Sequence, residues 1–351
     1  MNVLYYYPYP NSLNSGRTIY YGYKNAFETL GHNFYTLNAH ESYEEVLEKV
    51  EPHIFIWSVG STQNLKEKIT IINKYRQKGM KVFVQIPFWN HSFGLLRINE
   101  SKSLKDNMEL ISLIKSGEVG DYFYNSCDDI DERMNGFEKT TNYKHISIPL
   151  AADKNIIYDA NYKNEFKADI SYIGTLLPEK KAFFKDNIMP LRNQYNIKLY
   201  GQDWTTTDKV IGLFHKFGMY YNIPFLKDLR KQRLELSDEG DIYRSTKISI
   251  NIHEEYQKKF GGDCNERTFK IPLAGGFEIV DNVRCIKKYF NEKEMVIADN
   301  PNDYKEKLQY YLKNPDKCQD IIEAGRKRVL RDHTYERRVE QMLGYYHEDL
   351  K

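Results

Sequence analysis

Apolar residues along the chain fall into short runs, separated by stretches in which they recur every three or four positions. The runs at 3–7, 33–37, 53–58 and 81–86 read as strands. Between them, 18–30, 43–50 and 65–77 carry helical spacing, with Gly31 and Gly79 as stop signals and Pro87 closing the fourth strand. A helix over 108–116 and strands over 121–124 and 145–148 follow. Strands separated by helices of this length need crossover connections, so the pattern predicts a mostly parallel sheet with helices on both faces.

The alternation pauses at PLAADKN, residues 149–155, and resumes with a strand at 169–174. A helix over 179–194, a strand at 197–200 and a less regular stretch to about 240 come next. Strands at 248–252, 277–280 and 295–298 surround a helix at 267–274. Helices at 302–312, 318–330 and 335–347 close the chain. The predicted fold class is α/β, with two Rossmann-like doubly wound domains facing a cleft. Their boundaries are 1–150 and 151–334, and 335–351 is a candidate to cross back to the first domain. In such sheets ligands sit at the carboxyl ends of the strands, where backbone N–H groups and helix N-termini favour anions. A phosphate-bearing ligand is therefore expected.

Composition narrows the partners. The 51 Lys and Arg against 49 Asp and Glu leave a net charge of +2, which excludes a polyanion-binding composition; nucleic acid is not the expected partner. No apolar run approaches about 18 residues, so no membrane span is expected. The opening MNVLYYYPYP reads as a first core strand and not as a signal peptide. Cys127, Cys264, Cys285 and Cys318 are scattered without a CxxC pair. They are read as reduced thiols of a cytoplasmic protein, not as a zinc site or disulfide framework.

The most informative stretch is NERTFKIPLAGGFEIVDN, residues 265–282, after the strand KISINIH. Gly275 and Gly276 would let backbone approach a ligand, and Arg267 could offer parallel donors to a phosphate. An ordinary helix-to-strand turn is the competing reading. Glu278, flanked by Phe277 and Ile279, is uncomfortable as a core residue and suggests an edge or cleft-facing position. In the loop over 8–18, Gly16 and Arg17 open a helix and suit an anion. His91 would lie at the carboxyl edge of the first sheet, where it could contact a sugar or act as a base. His253 ends a strand, facing either the cleft or the interior. Tyr200 and Trp204 could stack on a base or sugar, although core packing is the commoner role. Asp129 and Asp131 have the spacing of a metal-binding carboxylate pair, but acidic residues before a helix are ordinary, and no metal ligands are assigned. Residues 227–236, KDLRKQRLEL, combine basic and apolar residues in a way that fits either a solvated helix or an anionic or membrane surface.

Several of these stretches together resemble a known family. STKISINIH (245–253), the 265–282 stretch, ADISYIGTLLPEKKAFF (168–184), YGQDW (200–204) and the tail over 300–338 are similar to ordered motifs of CgeB-like glycosyltransferases, within the group-1 glycosyltransferases of GT-B fold. The resemblance covers about 170–340. It implies transfer of a sugar from a nucleoside-diphosphate sugar to an acceptor hydroxyl, with the donor on the second domain and no obligatory metal or other cofactor. Arg267, Lys180 and Lys181, the turn at Gly174 and Thr175, and the amides of Gly275 and Gly276 become the candidate diphosphate contacts. His91, Arg267 and Lys181 are the candidate catalytic groups. The family's Glu before the glycine pair is Lys270 here, and an ammonium has no acceptor. Ribose contacts would then pass to Glu266 or Glu278, or Lys270 would meet phosphate. The loop over 8–18 contains no Asp, Glu or His to serve as a base, which favours a retaining reaction. The acceptor stays open among glycan, protein and small molecule. A nucleotide-sugar isomerase or epimerase and a non-catalytic scaffold are the alternative readings.

Overall fold

The computed structural model describes residues 1–8, 16–61, 64–91, 103–129, 131–221, 223–227, 229 and 234–348. These form two compact units. One holds Ile19–Leu150 with the first strand and the residues from Glu336 onward; the other holds Ala151–Tyr335.

In the first unit, β1 (Asn2–Tyr6), β2 (Asn33–Leu37), β3 (Ile54–Ser58), β4 (Lys81–Gln85), β5 (Tyr122–Asn125) and β6 (His145–Ser147) form one sheet in the order β2-β1-β3-β4-β5-β6. Every neighbouring pair is parallel. The central strands have no polar face: Ile54, Phe55, Ile56 and Trp57 are all buried. That is why they read as continuous apolar runs. The helices are set by local chemistry. Ser42 accepts a hydrogen bond from the Glu45 amide, Glu44 and Glu45 lie in the first turn, and Tyr43, Leu47 and Val50 turn inward along Tyr43–Val50. The closing helix, Tyr335–Glu348, is fastened to this unit by backbone carbonyls. Arg338 donates through Nε to Pro149 O at 2.8 Å and through Nη2 to Leu150 O at 3.3 Å. Gln341 reaches Ser147 O at 3.0 Å, and Tyr122 Oη donates to Tyr345 O at 3.1 Å.

In the second unit, β7 (Ala168–Ile173), β8 (Ile197–Tyr200), β9 (Thr246–Asn251), β10 (Glu278–Asp281) and β11 (Val296–Ala298) form a parallel sheet in the order β11-β10-β9-β7-β8. From β7 the chain moves outward to β8 and then returns across to β9. The strand order therefore reverses between β7 and β9, the point at which such sheets open a crevice at their carboxyl ends. Ile170, Ile248, Ile250, Ile279 and Val296 form the core beneath it, with Tyr304 and Leu308 from the helix Pro301–Lys313.

Two segments differ from the sequence expectation. The helix expected over 179–194 is a broken series: Pro178–Lys180 (3-10), Lys181–Phe183 (α), Phe184–Ile188 (π) and Met189–Asn193 (3-10). Pro190 has no N–H to continue a ladder, and Asn187 Nδ2 takes the Phe183 carbonyl at 3.1 Å. The stretch to 240 is mostly helical instead of irregular, with helices Thr206–Tyr221, Pro224–Lys227 and Leu236–Ser245. The first of these buries Asp208, Gly212 and Gly218, half-buries Ile211 and leaves Val210, Leu213, Phe214, Phe217, Tyr220 and Tyr221 exposed, so its main apolar stripe does not face the core.

Candidate functional site

At the reversal point of the second sheet two cations lie side by side, Lys180 buried and Arg267 half-buried. Arg267 opens the helix Arg267–Leu273, which connects β9 to β10. Its Nη1 donates to Ile173 O at 3.2 Å, its Nη2 to Ile252 O at 3.3 Å and its Nε to Asn251 Oδ1 at 3.1 Å. Lys180 ends the 3-10 turn after β7 and is only 3% exposed. Its Nζ donates to the same Ile252 carbonyl at 2.8 Å and to Tyr172 Oη at 3.3 Å. The Tyr172 ring lies 5.2 Å from the guanidinium carbon. Among the described residues no carboxylate makes an ion pair with either cation, although Glu254 is near enough to favour the charged form of both; carbonyl, hydroxyl and amide dipoles hold them. Burial, and then the neighbouring Arg267, lower the Lys180 pKa from 10.5 to about 7. Two cations sharing one carbonyl oxygen, one of them buried, are costly unless an anion joins them.

Asn251, at the end of β9, organises the layer behind them. Its Oδ1 accepts from Arg267 and from Asn265 Nδ2 (2.9 Å), and its Nδ2 donates to Thr268 Oγ1 (3.1 Å) and Glu278 Oε1 (2.7 Å). Glu278 is buried on the inner strand β10, and burial pushes its pKa from 4.5 to about 8. The edge or cleft-facing position expected for it is therefore corrected: Glu278 is an interior residue carrying a proton at neutral pH. His253 is likewise fully buried, with Nδ1 2.7 Å from Asp281 Oδ1 and Nε2 3.3 Å from Thr268 Oγ1, so it takes the interior reading. Sequence reasoning missed Asn251 and Tyr172. A polar Asn closing the apolar run KISIN was the available signal for the first; Tyr172 in an apolar strand gave none.

The other candidates separate. Lys181, one residue after Lys180, is exposed. Gly275 and Gly276 do not present their amides: Gly275 N donates to Pro272 O at 2.9 Å and Gly276 N to Ile271 O at 3.0 Å. The pair enters β10 at its amino end, opposite the cation site. Its glycines are required by packing, since a Cβ on Gly275 would lie 2.6 Å from Arg244 Nη1 and one on Gly276 2.9 Å from Tyr243 O. Lys270 is also corrected as a phosphate contact. It is buried between Glu239 (3.1 Å) and Glu266 (3.4 Å). Glu266, proposed for ribose, also accepts from Tyr335 Oη at 3.0 Å and from Thr18 Oγ1. Trp204 packs edge-on against Tyr172 and Phe184 and donates through Nε1 to Gly174 O at 2.9 Å. Gly174 and Gly201 pack backbone to backbone, and Gly174 N donates to Tyr200 O at 2.9 Å. Tyr200 sets its ring edge-on to Phe166. Thr175 lies half-buried in the turn, its carbonyl accepting from Leu177 N.

In the first unit, His91 follows β4, half-buried, with its ring 6.4 Å from Phe88. Gly16 and Arg17 group with the second unit, although the helix Gly16–Thr29 that they begin belongs to the first from Ile19 onward; the loop before them lies outside the described residues. Asp131 is fully buried in a forked ion pair with Arg133 (2.6 Å), which removes it from the metal-binding reading. Among the described residues no cluster of His, Cys, Asp and Glu has metal-ligand geometry. Of the 227–236 stretch, 228 and 230–233 lie outside the described residues.

Residues 181–344 match the profile of a family described as glycosyl transferase-like. Three solved structures cover the chain from end to end. A glycosyltransferase from Rickettsia africae superposes with a TM-score of 0.62 at 11% identity, over 99% of this chain and 98% of its own. Anabaena HepE, solved with UDP and glucose, gives 0.60 at 9%, over 99% and 100%. An alpha-glucosyltransferase solved with UDP-glucose and DNA containing an abasic site gives 0.60 at 10%, over 98% of each chain. The fold is GT-B. No curated protein sequence matches the chain. Residues 181–344 of this GT-B chain are thus glycosyltransferase-like in sequence as well as in fold; Arg267 lies within them and Lys180 immediately before them.

Proposed function

We propose that this GT-B chain is a glycosyltransferase of the CgeB-like group that binds a nucleoside-diphosphate sugar on its second unit. The diphosphate would seat on Arg267 and Lys180. The observation that carries this reading is the pair of cations on one carbonyl, Lys180 buried and Arg267 half-buried, with no carboxylate in an ion pair with either among the described residues. Loss of a nucleoside diphosphate builds negative charge on the leaving oxygen. Fixed cations in a site shielded from water stabilise that charge far more than they would in bulk solvent. Lys180 gains twice, since the arriving anion both offsets Arg267 and returns the ammonium to its charged form. With this cationic pair the site would need no metal.

The reaction is read as retaining. The acceptor oxygen bonds to the anomeric carbon as the bond from that carbon to the phosphate oxygen breaks, and the acceptor proton passes to the departing diphosphate. The support is the loop over 8–18, which holds no acidic or imidazole side chain. The acceptor is a hydroxyl of a glycan, protein or small molecule, and His91 is the residue assigned to the sugar side. The non-catalytic reading rested on Lys270. Lys270 lies between Glu239 and Glu266, and turnover assays separate that reading from the catalytic one.

The test is a thermal-shift and calorimetric screen against UDP, GDP, ADP, CMP and TDP and their common sugars, with and without EDTA, followed by turnover assays. One diphosphate family should bind, unaffected by EDTA, and Arg267→Ala should weaken it at least about a hundredfold, as expected when a buried charged contact is lost. Absence of binding by every nucleotide at millimolar concentration would refute the proposal.

A further inference from the structure

The helix Thr206–Tyr221 is built inside out. Val210, Leu213, Phe214, Phe217, Tyr220 and Tyr221 follow the three-and-four spacing of one face, yet all six are exposed, Leu213 at 67% and Tyr220 at 71%. The buried positions are Asp208, Gly212 and Gly218. Phe225, on the next short helix, is 69% exposed. Isolated apolar residues on a surface need no explanation, but a continuous aromatic and aliphatic stripe does.

Charge identifies what the stripe meets. Lys209 and Lys216, seven residues apart, border it and are exposed, whereas the helix's one acidic residue, Asp208, is buried. The sequence over 222–233 then adds four basic residues to one acidic. Phe, Leu and Tyr on one side with lysines along the border is the composition of a helix lying in a bilayer interface, its rings among the acyl ends and its ammonium groups among phosphates. A second copy of the chain is a poorer fit, because a two-fold contact would set one basic border against another. The helix does not span: no described helix is long and apolar enough to cross a membrane.

We propose that the helix Thr206–Tyr221 is a membrane-surface anchor that docks on anionic lipid. This inference is independent of the donor site. It is tested by co-sedimenting the full chain with vesicles of phosphatidylcholine alone or with phosphatidylglycerol as about a third of the lipid. Wild-type protein should pellet with the anionic vesicles and be released by salt. Leu213→Gln/Phe217→Gln/Tyr221→Gln should reduce the partition at least about tenfold, and Lys209→Glu/Lys216→Glu several-fold. Both variants should keep the wild-type Tm, since every changed side chain is exposed. The proposal is overturned if wild-type protein stays in solution with anionic vesicles, or if the triple variant binds as wild type does. It is equally overturned if light scattering finds a dimer that the triple variant dissolves while vesicles bind neither protein.

Discussion

Replacing Lys180 by Met should stabilise the ligand-free protein. Burial and Arg267 outweigh two neutral acceptors and the more distant Glu254, Asp281 and Glu179, which offset the charge of this lysine only in part. Lowering its pKa from 10.5 to about 7 costs the folded state roughly 5 kcal/mol at neutral pH, at about 1.4 kcal/mol per unit. Methionine keeps most of the stem's packing and loses two hydrogen bonds, to Ile252 O and Tyr172 Oη, worth about 1 kcal/mol each. The net expectation is a gain of about 2–4 kcal/mol at pH 7, or roughly 5–10 °C in Tm for a unit of this size. The pH dependence has a definite sign. The unfolded lysine holds its proton up to about 10.5 and the folded one only to about 7. The penalty is therefore full below pH 7 and fades as pH rises toward 10.5. By pH 9 the advantage of the variant should have largely gone. Differential scanning calorimetry at pH 7 and 9, with and without a nucleoside-diphosphate sugar, reads this directly. Added donor should reverse the order, raising the wild-type Tm and leaving the variant unmoved. An empty Lys180→Met protein that melts below wild type at pH 7, or a gap that ignores pH, would refute the reasoning.

Glu278→Gln should behave in a related way. The carboxyl's folded pKa is near 8 against 4.5 unfolded, so its contribution is whole below pH 4.5 and is lost as pH rises through 8. The amide variant should match wild type in urea unfolding at pH 4 and exceed it by roughly 3 kcal/mol at pH 7; lower stability at pH 7 would contradict a protonated interior Glu278. Gly275→Ala puts a Cβ at φ +74° and 2.6 Å from Arg244 Nη1, which should cost about 1–3 kcal/mol of stability. Donor affinity of the protein that remains folded should stay within about twofold. Lost binding at an unchanged Tm would restore the glycine pair to the ligand site.

The strands were legible because buried parallel strands are apolar on both faces, and runs such as IFIW leave no other option. Arg267 and Lys180 were singled out in the sequence, and the structure brings both to the Ile252 carbonyl. What could not be read was burial. Lys180 and Lys181 are identical neighbours, and only the broken helical path after Pro178 turns one inward and leaves the other in water. The glycine pair suggested a ligand approach, but its actual neighbours, Arg244 and Tyr243, come from a helix some thirty positions earlier in the chain. Glu278 and Lys270 misled for the same reason. Each is placed by groups distant in sequence: Glu278 is buried against Asn251 and Lys270 is paired with Glu239.

The fastening of Tyr335–Glu348 to Ser147, Pro149 and Leu150 has a consequence for synthesis. The first unit starts to emerge from the ribosome first, but it lacks its closing helix until residues beyond 336 have been made. Most of the second unit is inserted in sequence between the body of the first and the helix that closes it. A chain cut short before Arg338 therefore loses the contacts to Ser147, Pro149 and Leu150 and leaves the first unit, made earliest, as the unfinished one.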